Sequence, residues 1–125
     1  MKPKVLIVDD SSLARRTARA MLEELGFVVD EARDGTQALE RFFIDRPAFV
    51  LLDMVMSGMY GLDVLAKIRE MQPDALVIVA TADIQQSTQD QVRAAGAAGF
   101  INKPLNKQRL SAVVSDVLKG SYTWN

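Results

Sequence analysis

Four short apolar runs along this chain each lead into a side chain with a reactive head. Val5–Val8 leads into Asp9 and Asp10, Phe49–Leu52 into Asp53, Leu76–Ala80 into Thr81, and Ala97–Asn102 into Lys103, which Pro104 follows. Runs this short, rich in Val, Ile and Leu and bounded by polar residues, carry the signature of buried strands. Between them the period changes. In Ser11–Leu25 the apolar residues Leu13, Ala14, Ala18, Met21, Leu22 and Leu25 recur at three- and four-residue spacing, with Arg15, Arg16, Arg19 and Glu23 opposite. That pattern predicts an amphipathic helix, closed by Gly26.

Phe27–Glu31 reads as a short second strand. Asp34 is placed to cap a helix through Glu40 and Phe43, with Gln37 in a capping-box position and Pro47 as the stop. Leu62, Leu65, Ala66, Ile68 and Arg69 suit a third helix after the Ser57–Gly61 loop. Asp83 or Ser87 can cap a fourth helix that reaches Ala95 and stops at Gly96. Asn106 can cap a fifth through Leu118, with Leu110, Val113, Val114 and Val117 on one face and Gly120 at its end. The expected domain spans residues 1–120, and Ser121–Asn125 is expected to be a loose tail in which Trp124 could dock.

Strands alternating with helices five times predict an α/β fold, with a parallel sheet and helices on both faces. Right-handed crossovers leave few topologies. The C-terminal ends of parallel strands lie along one edge, where such folds bind ligands. Asp9, Asp10, Asp53, Thr81 and Lys103 all fall there.

Composition narrows the chemistry. A length of 125 residues suits one domain, and 49% hydrophobic content is enough for a sizeable core. With 15 basic and 16 acidic residues the net charge is −1, which leaves no basic excess for nucleic acid, so no DNA binding is expected. There are no cysteines, hence no disulfides and no thiolate metal site. There are no histidines, so a bound metal is expected to be a hard, oxygen-liganded ion such as Mg²⁺. The apolar stretch after Met1–Lys4 is too short for a signal peptide, and no run approaches the ~20 residues of a membrane span. A cytoplasmic protein without membrane insertion is expected.

Three clustered carboxylates repel unless one takes a proton or a cation enters. Mg²⁺ uses only one or two protein carboxylates and keeps several waters. Two aspartates and a backbone carbonyl therefore leave Asp53 partly free, able to attack phosphorus and form an acyl phosphate. Lys103 can screen charge on the transferring group, and Thr81 can hydrogen-bond one of its oxygens.

The motifs Val5-Leu6-Ile7-Val8-Asp9-Asp10, Leu52-Asp53-Met54-Val55-Met56, Gly58–Gly61, Thr81-Ala82 and Lys103-Pro104 together resemble the receiver domain of two-component response regulators, of the stand-alone CheY type. The resemblance covers Lys4 to about Lys119. It implies a flavodoxin-like (βα)5 fold with strand order 2-1-3-4-5. It also implies that Asp53 is the phosphoacceptor. By the same resemblance, Asp9 and Asp10 are expected to bind Mg²⁺, joined by the Val55 carbonyl, with Asp53 completing the acidic metal site. Thr81 and Lys103 are expected to contact the phosphoryl group, and Thr81 and Phe100 to form the switch. In the family, phosphorylation draws the Thr inward and the aromatic residue follows, which remodels the face of the fourth helix, fifth strand and fifth helix, where an effector protein is expected to bind.

Ile84, Gln91, Lys107 and Arg109 are candidate contacts on that face. The donor is expected to be a histidine kinase or phosphotransfer protein on another chain. The segment Thr81–Thr88 resembles receivers of chemotaxis-like systems. Departures from the family pattern are Ser57, where proline is common, and Tyr60, where Asp or Asn is frequent. Val55 replaces an often polar residue that can orient an attacking water, so slow loss of the phosphoryl group is expected unless Asp83 or a partner phosphatase assists.

Other classes share parts of this pattern. A haloacid dehalogenase-type phosphohydrolase also uses an Asp after a strand, but needs a second Asp where Val55 stands. A flavodoxin-type electron carrier needs a Ser/Thr/Gly-rich phosphate loop where Asp9 and Asp10 stand. A degenerate receiver would act as a phosphorylation-independent binding module, although all five site residues are present.

Overall fold

The computed structural model describes residues 2–56 and 60–124. Ser57, Gly58 and Met59 of the expected loop, and Asn125 of the expected tail, lie outside the described residues. The chain order is β1 (Lys4–Val8), α1 (Ser12–Glu24), β2 (Val28–Ala32), α2 (Gly35–Asp45), β3 (Phe49–Asp53), α3 (Gly61–Met71), β4 (Val77–Thr81), α4 (Gln86–Ala94), β5 (Gly99–Asn102) and α5 (Lys107–Lys119). All strands pair in parallel, in the order β2-β1-β3-β4-β5. This is the flavodoxin-like order read from the sequence, and its switch point lies between β1 and β3.

Alternation along the strands divides the core into two layers. Val5, Ile7, Phe49, Leu51, Ile78 and Ile101 pack with Ala18 and Leu22 of α1 and Leu110, Val114 and Val117 of α5. Leu6, Val8, Val50, Leu52, Val77 and Val79 pack with Ala38 and Phe42 of α2, Val64, Leu65 and Ile68 of α3, and Val92 of α4. Burial on both faces explains why the strands read as continuous apolar runs rather than alternating ones. Each fully buried Leu, Ile or Phe contributes about 1.5–3 kcal/mol.

The expected N-caps hold for α2 and α5, and Ser11 caps α1 in the same way. The side chain of Ser11 accepts from the Ala14 N–H, that of Asp34 from Gln37, and that of Asn106 from Arg109. Gly26 and Gly120 take φ of 98° and 73°, the left-handed geometry a helix stop requires. The fourth helix departs from expectation: its N-cap is Gln85, which makes no side-chain cap bond. Asp83 works from two residues upstream, with its carboxylate accepting from the Gln85 N–H at 2.9 Å and the Thr88 hydroxyl at 2.6 Å.

Two other expectations need correction. Leu13 does not join the core and is 67% exposed, because the first turn of α1 stands beyond the strand ends. Residues 121–124 are not a loose tail: Trp124 docks, as the sequence allowed, and Tyr122 packs against the core with it.

Candidate active site

The site is built where β1 and β3 end side by side. Val8 pairs with Leu52, so Asp9 and Asp53 emerge from adjacent strands at the same level. Asp9 is only 6% exposed and anchors the β1–α1 turn. Its N–H donates to the Ala32 carbonyl at 3.1 Å, and its Oδ1 accepts from the Ser11 N–H at 2.9 Å. Carboxylate oxygens of Asp9, Asp10 and Asp53 all lie within 4.8 Å of one another. A cluster of hard oxygen donors this tight, in a chain without histidine or cysteine, fits a divalent cation such as Mg²⁺.

Lys103 faces this cluster from the end of β5. Its Nζ lies 2.8 Å from Asp9 Oδ2 and 3.2 Å from Asp53 Oδ1. The Lys103 N–H donates to the Thr81 carbonyl at 2.8 Å, continuing the β4–β5 pairing by one residue, and the following bond to Pro104 is cis. Burial opposes the lysine charge, but the hydrogen bond to Asp9 and the field of Asp53 outweigh it, so its pKa is raised. Burial also raises the pKa of Asp53; the field of Lys103 opposes this, while those of Asp9 and Asp10 add to it.

Thr81 is the last residue of β4 and is 4% exposed. Its Oγ1 accepts from the Asp83 N–H at 3.1 Å, which links the hydroxyl to the loop before α4. Phe100 is buried in the layer beneath α4. Val55 lies two residues past Asp53 with its side chain 65% exposed, and Tyr60 is 62% exposed. The five residues expected to act together thus meet at one edge. Ile84, Gln91, Lys107 and Arg109 are exposed on α4, α5 and the loop before α4.

Gly61 explains part of the loop motif. A Cβ built on it would sit 2.6 Å from the Asp53 carbonyl oxygen and 2.7 Å from the Met54 Cα. No side chain fits there, and the close approach lets the Gly61 N–H donate to the Met54 carbonyl at 2.8 Å. The start of α3 is thereby pressed against the residues that carry Asp53.

Arg15 and Thr88 carry no signal of a site role at their own positions in the sequence. Arg15 falls opposite the apolar stripe of α1, yet it donates to the Asp9 carbonyl at 2.6 Å and to Glu31 at 2.9 Å. Arg19 likewise turns inward to Glu31 and the Val29 carbonyl. The available signal was the acidic Asp30-Glu31 pair in a strand otherwise apolar at its start. Thr88 is 7% exposed and holds Asp83.

Among the described residues, no helix is long and apolar enough to cross a membrane. Chemotaxis protein CheY of Halobacterium salinarum is 36% identical over 118 residues, covering 94% of this chain and 98% of that protein. Chemotaxis protein CheY of Bacillus subtilis is 34% identical over 119 residues, covering 94% and 99%. Among solved structures, Vibrio cholerae CheY4 superposes with a TM-score of 0.89 at 27% identity, over 94% of this chain and 99% of that one. The response regulator receiver domain family matches residues 5–115. With the acidic cluster, Thr81 and Lys103 gathered at the sheet edge, this chain belongs to the response regulator receiver domains of two-component systems and is CheY-like.

Proposed function

We propose that the chain is a phosphorylation-driven switch in which Asp53 accepts a phosphoryl group from a phosphohistidine on a partner protein. The observation that carries this reading is Lys103 Nζ at 3.2 Å from Asp53 Oδ1, beside carboxylate oxygens of Asp9 and Asp10 grouped with it within 4.8 Å. An Asp53 oxygen forms the bond to phosphorus as the phosphorus–nitrogen bond of the donor breaks, and the imidazole leaves with that electron pair. Mg²⁺ held by Asp9, Asp10, Asp53 and the Val55 carbonyl would offset charge on the phosphoryl oxygens. Lys103 contributes a fixed ammonium toward the same oxygens, and Thr81 contributes a hydroxyl donor.

Thr81 leads outward from the site. Its hydroxyl accepts the Asp83 N–H, and the Asp83 carboxylate holds the first turn of α4. A hydroxyl drawn to a phosphoryl oxygen would alter that chain of bonds. The face of α4, β5 and α5 is therefore the surface assigned to an effector protein, with Phe100 beneath it. Such a local change biases a two-state surface rather than doing chemistry on a substrate. Likeness to two chemotaxis proteins favours a chemotaxis-like pathway.

Acetyl phosphate with Mg²⁺ tests the reading. Intact mass is expected to rise by one phosphoryl group on wild type and not on Asp53→Asn. No rise on wild type would favour the degenerate receiver, acting only as a binding module.

A further inference from the structure

The segment after α5 closes over β5 in an ordered way. Gly120 turns the chain, and the Ser121 N–H returns to the Asp116 carbonyl at 2.8 Å. The Tyr122 hydroxyl then donates to the Phe100 carbonyl at 3.0 Å. The Trp124 ring meets the Tyr122 ring edge-on at 5.3 Å, and the guanidinium of Arg93, from α4, lies 5.8 Å from the Trp124 ring centre. Residues 121–124 thus run from α5 across β5 to α4.

β5 is the strand this contact can influence most. It lies at the edge of the sheet, paired on one side only. An edge strand presents unpaired backbone groups, and the Tyr122 hydroxyl takes one of them. On the inner side the strand is already pressed against α5: a Cβ on Gly99 would lie 2.7 Å from Val117 Cγ2. The strand leads directly to Lys103, three residues beyond Phe100, and Lys103 reaches Asp53 and Asp9. Burial raises the pKa of the Tyr122 phenol, so the hydroxyl keeps its proton throughout the neutral range.

We propose that Tyr122 is a positioning residue for Lys103: docked by Trp124, it holds the edge strand β5 so that the ammonium meets the phosphoryl group in place. The proposal rests on the phosphoacceptor reading of Asp53. Held on both sides, β5 delivers Lys103 preorganised. Freed at Phe100, it lets the ammonium wander, and a charge that must be fixed again on binding contributes less.

Trp124 is the only tryptophan in the chain, so its fluorescence reports docking without a label. The test compares wild type, Tyr122→Phe, Tyr122→Ala and a chain stopped after Gly120. Binding of beryllofluoride with Mg²⁺ is followed by ¹⁹F NMR, and acrylamide quenching of Trp124 is followed in the full-length forms. Tyr122→Phe keeps the ring but loses the hydroxyl, and is expected to weaken beryllofluoride binding about threefold; Tyr122→Ala and the stopped chain are expected to weaken it about tenfold.

Acrylamide quenching of Trp124 is expected to rise in Tyr122→Ala. Affinity for Mg²⁺ alone, followed by the amide shifts of Asp9 and Asp10, is not expected to weaken, because its ligands do not lie on β5. Unchanged beryllofluoride affinity in Tyr122→Ala with Trp124 exposed would overturn the positioning role. An equal loss of Mg²⁺ and beryllofluoride binding would also overturn it, pointing to general loosening of the fold. If wild type forms no beryllofluoride adduct, the phosphoacceptor reading itself falls and takes this role with it.

Discussion

Lys103 Nζ sits 3.2 Å from Asp53 Oδ1, across the strand-end edge from the residue expected to bind phosphorus. The same ammonium lies 2.8 Å from Asp9 Oδ2. One fixed cation therefore faces two carboxylates, with Asp10 close by. Without a second cation the cluster carries surplus negative charge, and burial of Asp53 makes that charge harder to hold.

This imbalance sets a pH-dependent stability. The Asp53 carboxyl is raised in the folded chain above its ordinary value of 3.8, burial being the largest cause. Its contribution to stability is full below that ordinary value and is lost as pH rises through the raised one. Asp53→Asn is therefore expected to melt a few degrees above wild type at pH 7 without Mg²⁺, with the gap closing as the solution is acidified below the carboxylate range. Calorimetry across that range checks it; a variant melting below wild type at pH 7 would contradict the sign.

Arg15 braces the turn that carries Asp9 and Asp10 from behind, through the Asp9 carbonyl and Glu31. Groups that orient ligands this way tune metal affinity. Arg15→Ala is expected to weaken Mg²⁺ binding about tenfold. Arg15→Lys should recover little, since an ammonium lacks the planar fork that reaches both partners. Calorimetric titration with MgCl₂ measures this, and equal affinities for all three proteins would remove the role.

Gly61→Ala forces a methyl into the 2.6 Å gap at the Asp53 carbonyl. Overpacking of this kind costs about 1–3 kcal/mol. Urea unfolding should report that loss, and acetyl phosphate should label the variant more slowly because the backbone carrying Asp53 has moved. Wild-type stability in the variant would mean that α3 can shift without strain.

If Asp53 is the phosphoacceptor, Thr88 and Val55 are expected to bear on how long the phosphoryl group stays. Both oxygens of the Asp83 carboxylate are engaged at the start of α4, and the Thr88 hydroxyl bond and the Gln85 N–H hold its pKa below the ordinary carboxylate value. Asp83 so engaged is poorly placed to assist water, and Val55 offers no polar head. The isolated domain is expected to lose its phosphoryl group slowly. Thr88→Val should free Asp83 and speed the loss about threefold or more, and Asp83→Ala added to it should cancel the gain. Decay of the phosphorylated mass reads this; a half-life of seconds in wild type would refute the slow-loss expectation.

The pattern of positions along the chain was enough to determine the strands, the helix caps at Asp34 and Asn106, and the identity of the five residues at the edge. Those are local properties: burial on both faces makes strands apolar throughout, and a cap bonds only two or three residues ahead. Strand boundaries moved by a residue or two; β5, for example, begins at Gly99 rather than Ala97. What only the tertiary structure decided involves partners far apart in sequence. Arg15 turned out to serve Asp9 and Glu31 because β2 lies beside β1, and no helical period reveals which strand a polar face will meet. Tyr122 found the Phe100 carbonyl because β5 is an edge strand, which depends on the order of the whole sheet. Leu13 stayed outside because the core ends where the strands end. Periodicity says which residues want burial or a partner; the packing of the sheet decides which of them obtain one.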